Sequence, residues 1–343
     1  MSEMMWAVLL DEHRQYVFGQ RPVPKPRPNQ VLVQVDLCGI CGSDLHAASL
    51  PQVYRGGCVL GHEFTGRVLA TGHEVDGWNI GERVALNPNG NIDGTCGYCL
   101  AGRMNFCHQA TMETALGLQS DGGLEPFVVV SPKTLRRVPE IAGRFEAAWT
   151  EPTAVALRAV RRAGSVAGKK VLVTGGGPIG QLACRLLAHF GAAEIVLIEP
   201  AQERRRFAHA SHVDLALTPQ EATAQLSSAD RTALKVDVVL ECSGSAAATA
   251  LALQALSPGG ELVVVGAGPD SGLDPLTILM KEINVHGSFT YIDEFDEAIE
   301  LLAAGKIEVA DLTTSVVPLD QAIGAIESLR AARTMKVLID LHA

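Results

Sequence analysis

The stretch VLVTGGGPIGQLACRLL, residues 171–187, begins as a β-branched apolar run and continues as a helix-forming one. Between the two lies G-x-G-x-x-G, at Gly175, Gly177 and Gly180. Alone that pattern is weak, but a strand before it and a helix after it are the context in which it binds a dinucleotide. The glycines allow a tight turn, close approach of backbone to a pyrophosphate, and close packing of helix on strand. Pro178 and Ile179 would open the helix, and the pyrophosphate would sit on its N-terminal N–H groups, where the dipole favours anions. The next apolar run, EIVLIE, ends at Glu199. A carboxylate there accepts hydrogen bonds from ribose hydroxyls and repels a 2′-phosphate, so NAD is expected ahead of NADP. Arg204 and Arg205 follow, and arginines at this place can instead hold a 2′-phosphate. The blander reading is a glycine-rich turn with Glu199 as a solvated strand end.

Outward from this loop the alternation continues. KKVLVT (169–174) leads into it, and VDVVLEC (236–242), ELVVVGA (261–267) and INVHGSF (283–289) read as further strands. Strands alternating with helical stretches mean βαβ units and a parallel sheet. Val265, Gly266 and Ala267, at the end of one such strand, join the candidate cofactor contacts. This texture starts near Glu151, where EPTAVALRAVRR carries Pro152 at a helix start. Before it the chain reads as β with turns, in VLVQVDL (31–37), FTGRVLAT (64–71) and FVVV (127–130), and residues 81–130 are otherwise irregular. After Phe289 come two helical stretches, 293–304 and 318–330, and a last strand, KVLIDL. The fold class expected is α/β with two domains. Residues 1–150, completed by 290–343, form a mostly β domain, and residues 151–289 form a doubly wound parallel-sheet domain.

The 343 residues are too many for one comfortable core, which agrees with two domains. The net charge of −10 and the lack of a basic stripe argue against nucleic acid and anionic membrane as partners. No apolar run approaches the ~20 residues of a membrane span. MSEMMWAVLLDEH has no basic start and reads as a first strand, not a signal peptide, so a cytoplasmic protein is expected. The eight cysteines fall at 38, 41, 58, 96, 99, 107, 184 and 242. Clustered cysteines without an export signal suggest metal or catalysis more than disulfides.

Two clusters carry that chemistry. CGICGSDLH (38–46) could be a redox dithiol, a metal site or a turn rich in reactive side chains. Beyond it lies GHE, Gly61 to Glu63. A cysteine, a distant histidine and a carboxylate are the ligand types of a catalytic zinc, which keeps one position open. The second cluster reads D-x2-C-x2-C-x7-C, at Asp93, Cys96, Cys99 and Cys107. Three thiolates at that spacing point to a closed structural zinc site.

Taken in order, CGICGSDLH, VLGHE, the cysteine lobe, DGG, EPTAVALRAVRRAG, GGGPIG and MKVLI resemble the zinc-containing medium-chain dehydrogenases, the alcohol, sorbitol and threonine dehydrogenase group. The resemblance covers nearly the whole chain. It implies a GroES-like β domain that carries the zinc, a Rossmann domain, and a return to the first domain at the end. It assigns Cys41, not Cys38, and His62 to the catalytic zinc. The third ligand stays open between Glu151, where polyol dehydrogenases place a glutamate in E-P, and Glu63. Asp44 resembles the group that orients His62, as any zinc-bound imidazole requires. Ser43 matches the first hydroxyl of a proton relay and His46 its outer member. Lys336 matches a basic residue that touches the pyrophosphate.

The activity implied is hydride transfer between an alcohol and NAD(P), with zinc as the Lewis acid that lowers the alcohol's pKa. The resemblance is nearest to the polyol branch, with Phe289 and Tyr291 as pocket residues. Thr290 replaces an arginine that sorbitol dehydrogenases keep near the substrate, which sets sorbitol itself aside. A secondary alcohol or polyol, cyclic or amino-polyol included, is the small-molecule substrate expected. The alternatives are a threonine-type 3-hydroxy amino acid dehydrogenase and a non-enzymatic cofactor-binding protein. A homo-oligomer, dimer or tetramer, is also implied.

Overall fold

The computed structural model describes residues 3–228, 234–268, 270, 272–331 and 334–343. The chain divides into two units, Met1–Glu151 with Phe295–Ala343, and Pro152–Glu294. The breaks thus fall at 151/152, inside the helix Thr150–Arg162, and at 294/295, at the start of the helix Glu294–Ala303.

The second unit holds six strands, Lys170–Thr174, Glu194–Ile198, Leu215–Leu217, Val236–Glu241, Leu256–Val264 and Asn284–Gly287. All pair in parallel, in the spatial order third, second, first, fourth, fifth, sixth. The order reverses between the first and fourth strands, and such a sheet binds ligands outside its carboxyl ends at that reversal. Val171, Leu172, Val173, Val238, Val239 and Leu240 are fully buried, as central strands covered on both faces require. The helix Pro178–His189 leaves the first strand at this point. Gly177 at its N-cap offers no side chain to the first N–H groups.

The first unit is built on the strand Val31–Gly39. One edge pairs antiparallel with Glu63–Thr71, which pairs onward with Arg83–Leu86 and then Leu135–Arg137. The other edge is shared. Its first half takes Phe127–Val130 and its second half takes Lys336–Asp340, so the end of the chain completes a sheet begun at its start. Thr313–Pro318 adds in parallel to Lys336–Asp340. Met4–Leu10 and Tyr16–Pro22 form a separate antiparallel ribbon. Val33, Val35, Phe64, Leu124, Val337 and Ile339 are among the buried residues of one core between these elements. The strand Arg83–Leu86 lies in a stretch that reads as irregular from sequence. It is held by pairing with residues 65–67, which no local pattern announces. Among the described residues no helix is long and apolar enough to cross a membrane.

Arg144 ties the returning strand down. Its Nε donates to Asp36 Oδ1 at 2.8 Å, and its two terminal nitrogens donate to Asp340 at 2.8 and 2.7 Å. The hydrogen bonds from Arg144 hold Asp340 below the usual carboxylate range. With the guanidinium 39% exposed, the network is worth about 1 kcal/mol. Arg144→Ala should therefore lower Tm by about 2–4 °C at neutral pH. A folded-state pKa that is depressed stabilises above the unfolded value and is lost as pH falls through the folded one. The gap between wild type and Arg144→Ala in thermal melts should accordingly shrink below about pH 4.

Candidate active site

Strand register brings the first cluster together. Gly39 pairs with Glu63, so the residues just past one strand meet those that open the next. Cys41, His62 and Glu63 each offer a ligand atom, and these atoms lie within 4.8 Å of one another. Gly61 makes the turn into His62 at φ +92°, where a side chain would also strike the Cys38 thiol and Leu124. Cys38 itself is fully buried with its thiol on the Gly39 carbonyl at 3.6 Å, outside the cluster.

Asp44 begins the short 3-10 turn Asp44–Ser49 and is fully buried. Its Oδ2 accepts the Cys41 N–H at 2.9 Å, and its Oδ1 lies 3.5 Å from His62 Nδ1. Burial would raise the Asp44 pKa, but the charge and hydrogen bond of His62 outweigh it and hold the carboxylate below its usual value. Burial likewise opposes charge on His62, yet Asp44 and Cys41 hold its pKa well above the usual range. Such a paired set, with a soft thiol and an imidazole oriented by a carboxylate, suits zinc.

Glu63 and Glu151 differ in setting. The Lys336 ammonium pairs with Glu63 Oε2 and donates to the Ile40 carbonyl at 3.0 Å. It also lies 5.6 Å from the centroid of the Trp149 ring. The expectation for Lys336 is a place at the pyrophosphate. The side chain is 1% exposed and its charge is committed to Glu63, because Lys336–Asp340 pairs beside the strand that leads to Cys41. Glu151, in the first turn of Thr150–Arg162, is buried and lies outside the three-residue cluster. Burial pushes its pKa up to about 7, against the pull of His62 and Lys336.

Ser43 is half-buried and His46 is exposed on the turn, its N–H donating to the Ser43 carbonyl at 3.0 Å. Tyr54 joins them without having been expected. Its hydroxyl lies 2.7 Å from Ser43 Oγ and 3.1 Å from Asp44 Oδ1. PQVYRGG carries no pattern that marks it.

The second cluster gathers all four expected residues, with ligand atoms within 4.8 Å of one another. Cys96 and Cys99 Sγ are 3.5 Å apart, and Cys107 Sγ is 3.5 Å from Asp93 Oδ2. Zinc–sulfur bonds of about 2.3 Å in a tetrahedron separate neighbouring sulfurs by roughly 3.8 Å, so the donor set fits that ion. Asp93 divides its oxygens. Oδ1 accepts the N–H groups of Thr95 and Cys96 at 2.6 and 2.7 Å, which leaves Oδ2 to face the thiols. Those N–H bonds hold its pKa below the usual value. Desolvation and the adjacent Cys96 thiol push Cys99 up to about 12, so its ionised form needs a cation beside it.

In the second unit a cavity of about 680 Å³ is lined by Gly175, Gly177, Glu199, Arg204, Ser243 and Thr223 among others. A Cβ on Gly180 would collide with the Gly175 carbonyl, while one on Gly177 would meet nothing nearer than Arg204 Nη1 at 3.9 Å. The loop is thus tight toward the sheet and open toward the cavity, a cradle that suits a pyrophosphate. Glu199 Oε2 accepts the Gly176 N–H at 2.6 Å and Oε1 the Ala201 N–H at 2.8 Å. A carboxylate has about four lone-pair sites, so capacity for a ribose diol remains. Arg205 donates to the Glu199 and Pro200 carbonyls at 2.6 and 2.7 Å.

Glu241 is a second residue that the sequence does not single out. Its buried Oε1 accepts the Ser243 and Gly244 N–H groups at 2.8 and 3.1 Å, and it takes the hydroxyls of Ser243 and Thr174. It thereby fixes the cavity wall to the end of the first strand. Pro178 and Ile179 open the helix beyond the loop. Val265, Gly266 and Ala267 follow the fifth strand, with the N–H groups of Val265 and Gly266 on the Glu241 carbonyl. Further on, Phe289 is exposed and Tyr291 is buried. Thr290 between them takes φ +47°, rare for a β-branched residue.

Two family models match the chain. Residues 27–140 match the alcohol dehydrogenase GroES-like domain, and residues 178–304 match zinc-binding dehydrogenase. A probable D-xylulose reductase A of Aspergillus fumigatus is 34% identical, over 96% of this chain and 95% of its own. Sorbitol dehydrogenase of Gallus gallus is 32% identical, over 94% and 92%. A Sinorhizobium meliloti 1021 protein solved with NADP bound superposes with a TM-score of 0.91 at 31% identity, over 99% of this chain and 100% of that one.

Proposed function

The chain belongs to the zinc-binding medium-chain dehydrogenases, and from that premise we propose that it oxidises a secondary alcohol or polyol, cyclic and amino-polyols included, with NAD as preferred acceptor. Action on a CH–OH group with zinc and NAD(P) follows from the family itself. The observation that carries the finer reading is the cluster of half-buried Cys41 with buried His62 and Glu63, and a buried Glu151 near enough to feel their charges, a carboxylate-rich setting like that of the polyol branch.

Cys41 and His62 would hold the catalytic zinc, with a carboxylate from Glu63 or Glu151. Zinc there supplies a Lewis acid that polarises the substrate oxygen and lowers the alcohol's pKa. Ser43 Oγ would accept the alcohol proton while releasing its own hydrogen, which His46 on the exposed turn would pass to water. Asp44 keeps His62 oriented by facing Nδ1. The hydride acceptor is a nicotinamide whose pyrophosphate the glycine loop at 175–180 would receive.

The test is a panel of polyols, secondary alcohols and 3-hydroxy amino acids with NAD and NADP, followed by reduced-nicotinamide absorbance. The highest kcat/KM should fall on a polyol or secondary alcohol with NAD. Turnover confined to 3-hydroxy amino acids would overturn the substrate reading. Glu199→Ala should narrow the NAD preference by about tenfold, since the carboxylate's repulsion of a 2′-phosphate is lost. A wild-type enzyme that prefers NADP at saturating substrate would refute this role of Glu199.

A further inference from the structure

Tyr54 is fully buried, and its hydroxyl reaches two groups of the active site at once, Ser43 Oγ at 2.7 Å and Asp44 Oδ1 at 3.1 Å. The same Asp44 takes the Cys41 N–H on Oδ2 and faces His62 Nδ1 from Oδ1. Its own backbone carbonyl accepts the Tyr16 hydroxyl at 2.6 Å. We propose that Tyr54 is a positioning residue, whose hydroxyl sets the direction of the Ser43 hydroxyl and clamps the carboxylate that orients His62. The proposal rests on the dehydrogenase reading above.

Counting protons fixes the direction of each bond. A phenol has one hydrogen to give, and two acceptors lie within reach. A hydrogen bond to an ionised carboxylate is roughly twice as strong as one between neutral groups, so Tyr54 donates to Asp44. Ser43 must then donate to the phenol oxygen, because two lone pairs facing each other at 2.7 Å would repel. The Ser43 hydrogen is thereby turned inward. Its outward lone pair is left as an acceptor for the substrate hydroxyl in the resting site, and as the alcohol proton arrives the Ser43 hydroxyl turns from Tyr54 and gives its own hydrogen to the outward path through His46. Without the phenol, the Ser43 hydroxyl rotates freely, and Asp44 Oδ1 loses the donor that holds it against His62.

Tyr54→Phe keeps the ring and removes only the oxygen. Zinc release to a pyridylazo-resorcinol chelator, read as the phase that Cys41→Ala abolishes, should become about tenfold or more faster. The value of kcat should fall about 10–100-fold with KM nearly unchanged, because orientation and not binding is lost. In a Ser43→Ala background the same substitution should cost less than about threefold, since the two hydroxyls act as one unit. Wild-type zinc release in Tyr54→Phe would overturn the clamp on Asp44, and full additivity with Ser43→Ala would overturn the aim of Ser43. If Tyr54→Phe does not accumulate as folded protein, Ser43→Ala alone decides. It should release zinc at the wild-type rate, because the Tyr54 to Asp44 bond survives, and a tenfold faster release would refute the assignment. Should no alcohol be turned over by the wild type, the function fails, while the zinc-release arm still reads Tyr54.

Discussion

Cys41→Ala should lower turnover by roughly 10³–10⁴-fold while leaving NAD affinity within about twofold. The Cys41 sulfur is one of the candidate donors that converge where the strands Val31–Gly39 and Glu63–Thr71 end and begin. Losing it removes the Lewis acid, whose polarisation of a substrate oxygen is worth several kcal/mol, and each 1.36 kcal/mol is a factor of ten in rate. The glycine loop and its cavity belong to Pro152–Glu294, a separate unit, so nucleotide binding has no reason to change. Steady-state rates and a fluorescence titration with NADH check the two halves. Cys38→Ala is the control, because its thiol lies outside the cluster and it should keep its zinc. Activity retained in metal-free Cys41→Ala protein would end the zinc reading.

The lobe yields the next largest effect. Zinc-replete protein should contain about two zinc ions per chain, one at Cys41 and one at Asp93, Cys96, Cys99 and Cys107. A structural zinc contributes its binding energy as folding energy. Cys99→Ser should therefore lower the count to about one and Tm by roughly 10 °C, with kcat of the surviving enzyme nearly unchanged. Asp93→Ala should do less, because three thiolates remain, yet it also removes the acceptor of the Thr95 and Cys96 N–H groups. Metal analysis and thermal melts provide the measurement. A wild-type count near one, with Cys96, Cys99 and Cys107 freely reactive toward a thiol reagent, would show the lobe holds no metal.

Most strands of the parallel sheet are legible from residue pattern. Lys170–Thr174 and Val236–Glu241 carry apolar runs, and such runs are what a sheet buried on both faces selects. The glycine loop is legible because its geometry is local. Gly180 must lack a Cβ to lie against Gly175, and that need is written at two positions five apart. The Asp93, Cys96, Cys99 and Cys107 set is legible from its spacing, whereas the choice of Cys41 and His62 is what the family resemblance implies. The short strands Arg83–Leu86, Leu215–Leu217 and Thr313–Pro318 are not, since a few residues carry too little pattern and are held by their neighbours.

Sequence by itself therefore determined the fold class, the glycine loop in its strand–helix setting, and which residues stand as candidate donors, at Cys41 and His62 with Glu63 or Glu151 and at Asp93, Cys96, Cys99 and Cys107. Tertiary structure alone decided what each remaining charged or hydroxyl group faces. Lys336 meets Glu63 across 273 positions of chain, and Tyr54 meets Ser43 and Asp44 through a loop with no regular structure of its own. Glu241 gathers Thr174, Ser243 and Gly244 at the reversal of the sheet. The reason is physical. Periodicity and turn chemistry act over a few residues and leave their trace in the sequence. The partner of a buried ammonium or phenol is set by strand register and by which ends of the sheet converge, and a one-residue slip in that register would turn each side chain to the opposite face.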